Sequence, residues 1–224
     1  QSNQDVASFI KNTKINLKNV QEDWLIKCEL SIKEWEIIKE NKSVFKYDGI
    51  SIYHVMEELN KVDYDHSNFV VDAGSISYVG PTALHYRHSR NFIFSPAQAD
   101  MGCALPSALG VAANSKKPVY CITGDGSFMS NVQELSTLKY HNYNIKIILL
   151  NNSGYLSISN TQRNNYGPNR IFGEHSGRGI CFPDYKQLCK SFGIQYIEVK
   201  KEKHLNKFRI DGPVLIDVKC LNNE

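Results

Sequence analysis

Two short apolar runs that end on small polar loops constrain this chain more than any other feature. Pro118-Val-Tyr-Cys-Ile-Thr123 closes on Gly124-Asp125-Gly126, and Asn144-Ile-Lys-Ile-Ile-Leu-Leu150 closes on Asn151-Asn152. Runs of this length and character read as buried strands, and the stretch Asn131 to His141 between them reads as a helix. Strand, helix, strand is the crossover that joins parallel neighbours, so both polar loops fall at one edge of one sheet. Open α/β sheets bind ligands outside the carboxyl ends of their strands.

The rest of the chain repeats the alternation. Ser51 caps a helix through about Val62. Asn68 to Asp72 and Asn91 to Ser95 are strands, and a helix runs from Asp100 to about Asn114. Pro183 opens a helix to Phe192, and Gln195 to Val199 and Val214 to Lys219 complete the set. The expected fold is α/β, a doubly wound, mainly parallel six-stranded sheet with helices on both faces. Rossmann-type dinucleotide binding competes poorly, because no Gly-x-Gly-x-x-Gly follows the first strand. The segment Asn160 to Ile180 is rich in Asn, Gly and Arg and is expected to be a mobile loop. Such a loop would close over a completed pocket.

The residue types at the predicted edge have a specific chemistry. Asp125 and Asn152 offer hard oxygen ligands of the kind Mg²⁺ prefers, and that ion usually shares its site with phosphate oxygens. Gly126 and Ser127 stand before a helix, where free backbone N–H groups attract anions. Together they describe a metal–diphosphate site.

Gly-Asp-Gly followed after about two dozen residues by Asn-Asn resembles the cofactor signature of thiamine-diphosphate enzymes. Asp72-Ala-Gly-Ser75, Met101-Gly-Cys-Ala-Leu-Pro-Ser-Ala-Leu-Gly110, Gln133-Glu-Leu135, Asn152-Ser-Gly-Tyr155 and Gly212-Pro-Val-Leu-Ile-Asp217 are similar to the acetolactate synthase-like branch. The resemblance covers roughly residues 50 to 219. It is to the carboxyl-terminal domain that holds the diphosphate.

That resemblance implies Mg²⁺ held by the Asp125 and Asn152 side chains and the Gly154 carbonyl. Ser75, Gly124, Gly126, Ser127 and Tyr155 are cofactor-binding candidates, and Asn151 is expected to brace the turn. Met101 would wedge between the two rings of thiamine diphosphate, and the carbonyl of Ala99 would accept a bond from the cofactor's amino group. No catalytic residue is expected in this chain. The activating glutamate of such enzymes belongs to a pyrimidine-binding domain of the same or a neighbouring subunit, and Glu134 is read as an interface or helix-surface residue. The chain should therefore be inert alone and homo-oligomeric in its full-length form. FAD, carried by some relatives, would bind mainly through a middle domain.

The resemblance also bears on the substrate, a small 2-oxoacid. Ile158 stands where aldehyde-forming decarboxylases place a glutamate, which favours a carboligase. Thr161 and Ser157 stand where acetolactate synthases carry tryptophan and methionine, so a wider and more polar acceptor pocket is expected. A simple 2-oxoacid decarboxylase and a non-catalytic module of the same fold are the alternatives.

Composition narrows the remaining classes. A net charge of +3 without a dense Lys/Arg cluster excludes nucleic acid and membrane as expected partners. No apolar stretch approaches the length of a membrane span. The six cysteines show no Cys-x-x-Cys pair, so free buried thiols and a cytoplasmic setting are expected. The resemblance, which extends more loosely over the first 40 residues, implies that residues 1–50 are the end of a preceding domain with a linker and 51–224 the diphosphate-binding domain. Gln1-Ser-Asn3 is read as a tag remnant on a piece of a longer polypeptide. Trp24, Cys28 and Trp35, at near-helical spacing, are expected to form a core stripe.

Overall fold

The structure is a computed structural model and describes residues 22–37, 49–62, 67–85 and 91–221. The chain forms two compact units, residues 1–36 and 37–224. In the first, helix α1 spans Glu22–Glu34. The expected stripe is present but is not a core: Trp24, Cys28 and Trp35 fall within about 40° of one another at 100° per residue, yet Trp24 is 63% and Trp35 68% exposed, and Leu25, Ile26, Leu30 and Ile32 are open too.

The second unit is built on six parallel strands: β1 Asn68–Val71, β2 Asn91–Ile93, β3 Val119–Gly124, β4 Ile145–Asn151, β5 Gln195–Val199 and β6 Val214–Lys219. Their order across the sheet is β2-β1-β3-β4-β6-β5. Every pairing between these six strands is parallel, as the βαβ alternation requires. The chain moves outward from β1 to β2 and then returns to the other side of β1 to lay down β3. That reversal makes the carboxyl ends of β1 and β3 the switch point of the sheet.

Successive residues of one strand serve opposite faces. Tyr120 and Ile122 of β3 pack with Ile148 of β4 under α2 (Ile52–Asn60), α3 (Ser75–Ala83) and a 3₁₀ helix at Glu202–Arg209. Val119 and Cys121 pack with Ile145, Ile147 and Leu149 under α4 (Ala104–Asn114), α6 (Glu134–His141) and α8 (Tyr185–Phe192). A strand covered on both sides has no polar face, which is why these runs are apolar apart from Thr123 of β3 and Lys146 of β4. On the first face the Phe69 and Tyr120 rings stack with centroids 5.1 Å apart, an arrangement worth about 1 kcal/mol beyond its buried area.

Helix ends follow local chemistry. Ser51 accepts the Tyr53 amide and its own N–H goes to His54 Nδ1, so α2 begins where the sequence places it. Asp184 accepts the amides of Lys186 and Gln187 at the start of α8, and Gly193 ends that helix at φ 67°.

Two expectations fail. The helix expected from Asp100 starts at Ala104, because Ala99 (φ 52°) and Gly102 (φ 81°) adopt left-handed backbone that no helix accommodates. The segment expected to be a loop from Asn160 is one only after residue 166. Its first residues belong to α7 (Leu156–Tyr166), which stops at Gly167 (φ 84°). The stretch from Leu156 to Tyr166 holds neither Gly nor Pro to break it. Between β3 and α6 a further short helix, α5 (Asp125–Met129), puts Asp125 on a first helical turn and not in a loop.

All six cysteines are free; Cys121 and Cys189 are buried, while Cys181 is exposed, contrary to uniform burial. Among the described residues no helix is long and apolar enough to cross a membrane.

Candidate functional site

A pocket opens at the β1/β3 switch point and extends past the end of β4. Nine of the ten candidate residues line it: Ser75 from α3, Met101 from its turn, Gly124, Asp125, Gly126 and Ser127 from the β3 end, and Asn152, Gly154 and Tyr155 from the β4 end. Ala99 is not in the lining; it shapes the turn before Met101 through its left-handed backbone.

Asp125 is the buried charge of the site, 2% exposed. Its Oδ1 accepts the Gly126 amide at 2.8 Å and its Oδ2 the Gly154 amide at 3.1 Å. Burial raises its pKa from the ordinary 3.8 to about 6, against the pull of backbone N–H groups at Gly126, Gly154, Ser153 and Asn152. Asn152 Oδ1 also accepts the Gly154 amide, at 3.2 Å. Two side-chain oxygens from different strands therefore converge on one N–H. The Gly154 carbonyl accepts no hydrogen bond from the described residues.

This donor set suits a hard divalent cation. No group of three or more His, Cys, Asp or Glu side chains among the described residues could enclose a metal alone. An ion placed here would take further oxygens from water or a phosphorylated ligand, as Mg²⁺ characteristically does. Asn151 does brace the turn: its Oδ1 accepts the Ser153 amide at 3.2 Å and its Nδ2 donates to Asp217 at 2.9 Å. Ser153 holds φ 62° in that turn.

Glycine is required here for reasons the motif does not state. A Cβ on Gly126 would stand 2.0 Å from the Tyr155 ring, and one on Gly154 would stand 2.6 Å from the Glu174 carbonyl oxygen. The Gly126 amide, expected to meet phosphate, is already given to Asp125 Oδ1. The N-termini of α3 and α7 both face the pocket, through Ser75 and through Leu156 and Ser157, and helix N-termini of this kind bind anions; the Tyr155 amide is already given to the Glu174 carbonyl.

Asp72 organises the switch point, a role its motif does not announce. Only 2% exposed, it accepts the Gly102 and Ala73 amides on Oδ1, both at 2.8 Å, and the Thr123 hydroxyl on Oδ2 at 2.9 Å. It thus ties the end of β1 to the end of β3 and to the turn carrying Met101. Asn131 clamps that turn from the other side by donating to the Gly102 carbonyl at 2.8 Å. A carboxylate directly after a strand, before a Gly-Ser helix start, was the available sequence signal. Tyr185 also reaches the site, its hydroxyl 3.4 Å from the Asp125 carbonyl. Burial, and then the charges of Asp125 and Asp217, push its pKa up.

The wall beyond the Asn152–Gly154 loop is less polar than expected. Ser157 lines it, but Thr161 does not; its hydroxyl is spent on the Ser157 carbonyl at 2.9 Å. Ile52, Leu150, Leu156, Ile158 and Leu221 make the wall mainly aliphatic. Glu134 sits half-buried on the first turn of α6, outside the lining.

A doubly wound parallel sheet with helix N-termini, a buried carboxylate and a carboxamide at its switch point defines an α/β cofactor-binding domain. Residues 72–218 match the family described as thiamine pyrophosphate enzyme, C-terminal TPP binding domain. The chain belongs to that family. It is similar to acetolactate synthase large subunits: 32% identical over 207 residues to that of Buchnera aphidicola subsp. Schizaphis graminum, covering 91% of this chain and 34% of the relative. The subunit of Buchnera aphidicola subsp. Acyrthosiphon pisum is 34% identical over 226 residues, covering 96% of this chain and 37% of the relative. That of Porphyra purpurea is 28% identical over 225 residues, covering 98% and 37%. The chain spans about a third of the length of these curated relatives.

Proposed function

We propose that this chain is the diphosphate-binding part of a thiamine-diphosphate- and Mg²⁺-dependent carboligase of the acetolactate synthase type, acting on a small 2-oxoacid. The observation that carries the reading is the convergence of Asp125 and Asn152 oxygens on the Gly154 amide, beside a carbonyl with no donor among the described residues. These three residues would hold the metal, and the ion would neutralise both the diphosphate and the buried Asp125 carboxylate. Ser75, Ser127 and the N-terminal amides of α3 and α7 would receive phosphate oxygens. Met101, 44% exposed at the pocket, would pack against the cofactor rings and set their relative tilt.

When bound, the cofactor supplies the chemistry that cleaves and forms bonds next to a carbonyl. This chain's residues bind, orient and exclude water. The aliphatic wall of Leu156, Ile158 and Leu221 fits the short side chain of a 2-oxoacid and offers no acid for protonation at Ile158, which supports ligation over simple decarboxylation.

The proposed partner is a pyrimidine-binding domain. Tyr78, Met101, Ile158, Tyr166 and Phe172 are exposed on α3, the Met101 turn, α7 and the segment after it, the elements that border the pocket. Exposed apolar side chains on such elements, with Met101 and Ile158 in the pocket lining itself, are what a second domain would cover. The chain alone is then expected to be inert.

Calorimetry with thiamine diphosphate tests the reading. Weak binding that requires Mg²⁺, and that Asp125→Ala abolishes, supports it; equal binding without metal overturns the metal bridge. Sustained turnover of pyruvate by the pure chain would overturn the division of labour between two domains.

A further inference from the structure

The segment from Gly173 to Arg178 has no place in the cofactor reading, yet it lies directly against the metal loop. It closes on itself, the Gly173 amide donating to the Arg178 carbonyl at 2.7 Å and the Arg178 amide to the His175 carbonyl at 2.9 Å. This brings Glu174 Oε1 and Arg178 Nη1 to 3.6 Å. Two rungs fasten the closed turn to the β4 end: the Tyr155 amide donates to the Glu174 carbonyl, and the Ser176 amide donates to the Ser153 carbonyl at 2.9 Å. They grip the residues on either side of Gly154, across an antiparallel bridge between Gly154 and His175. Gly154 has no room to move towards the turn, since a Cβ there would meet the Glu174 oxygen at 2.6 Å and His175 Cα at 3.2 Å.

Glu174 itself is an unusual choice for such a position. It is 3% exposed, its Oε1 has no hydrogen-bond partner, and the facing Arg178 side chain is 57% exposed. A buried carboxylate is tolerated where its charge is compensated, and here the described compensation is that one guanidinium. Loss of the guanidinium would drive the carboxylate towards water and take the Glu174 carbonyl, and with it the Tyr155 rung, out of place.

We infer that Glu174, through its ion pair with Arg178, is a positioning residue that straps the Ser153–Tyr155 loop so that the Gly154 carbonyl is held towards the metal position. The inference rests on the proposed metal site and adds to it residues that touch neither metal nor cofactor. Outer partners of this kind tune metal affinity by orienting the groups that bind.

The test uses Mn²⁺ in place of Mg²⁺, with thiamine diphosphate present, and reads affinity from water-proton relaxation on the whole chain. Glu174→Gln and Arg178→Gln should each weaken Mn²⁺ binding about tenfold. The double variant should be no worse than either single change, because both remove one interaction. Arg178→Lys, which keeps the charge, should restore most of the affinity. Amide exchange should quicken at Tyr155 and Ser176 in the weakened variants while β3 and β4 stay protected. Unchanged Mn²⁺ affinity in both Gln variants, with normal binding by the unsubstituted chain, overturns the inference. So does unchanged exchange at Tyr155 and Ser176. Failure of the unsubstituted chain to bind Mn²⁺ at all overturns the metal reading itself and takes this inference with it, which separates the two failures.

Discussion

Asp72→Ala removes the acceptor that joins three segments, and its cost can be worked from the partners left behind. The Gly102 amide bond and the Thr123 hydroxyl bond are both buried. Each orphaned buried donor costs about 1–3 kcal/mol, so the substitution should destabilise the second unit by about 4 kcal/mol. For a unit of this size that is a fall of roughly 8–16 °C in melting temperature. Asp72→Asn keeps one oxygen for the amides and turns its NH₂ to a hydroxyl that can accept, so it should cost about 1 kcal/mol. Thr123→Val leaves only Oδ2 short of a partner and should cost about 1–2 kcal/mol. Combined with Asp72→Ala it should fall short of additivity by about 1 kcal/mol, because the two share one bond. Urea denaturation of the four proteins, checked for a common slope, reads all of this. A loss below about 1 kcal/mol for Asp72→Ala, or strict additivity of the pair, would refute the assignment of Asp72 as the tie between β1, β3 and the Met101 turn.

Asp125 should make the metal-free protein less stable as pH rises. Its folded pKa of about 6 lies above the ordinary 3.8, so the folded state holds the proton more tightly. That contribution is present below about pH 4 and is lost as pH climbs through 6; it amounts to about 3 kcal/mol at most. Asp125→Asn should flatten this slope in denaturation curves taken between pH 4 and 7, and an unchanged slope would count against it. Mg²⁺ should bind the charged form, so its affinity for the cofactor complex should drop about tenfold per pH unit below 6, measurable by calorimetry. Gly154→Ala should cost about 2–3 kcal/mol, since the added carbon meets backbone at Glu174. Gly126→Ala should instead expel the Tyr155 ring from its place, reading out as altered tyrosine fluorescence and lost cofactor binding with a smaller stability change.

How much of this was legible beforehand can be seen in particular residues. The last two strands begin and end where the apolar runs do, at Gln195, Val199, Val214 and Lys219. β6, buried on both faces, writes itself into the chain as a local run of aliphatic residues, while β5, at the sheet edge, shows as a short run that mixes polar and apolar residues. The ends of β3 and β4 are equally local, since Gly124-Asp125-Gly126 and Asn151-Asn152 stop an apolar run by their own polarity. Parallel pairing then follows from connectivity, so Asp125 and Asn152 could be brought to one edge from order alone.

What order alone cannot supply is distance. That Asp72 bonds Gly102 and Thr123, thirty and fifty-one positions away, depends on how the switch point closes. The reasons for Gly126 and Gly154 are likewise tertiary, a tyrosine ring in one case and a carbonyl from the turn at Glu174 in the other. The polar stretch after Tyr155 shows the same division. Its composition suggested a mobile loop, but a polar helix is stable where its first turn is anchored at a packed site, and its propensities are not high enough to announce it. The sequence by itself therefore determined the strands, their parallel order and the chemistry gathered at one edge. The tertiary structure decided which of those groups touch, because contact between segments far apart in the chain is set by packing and not by local pattern.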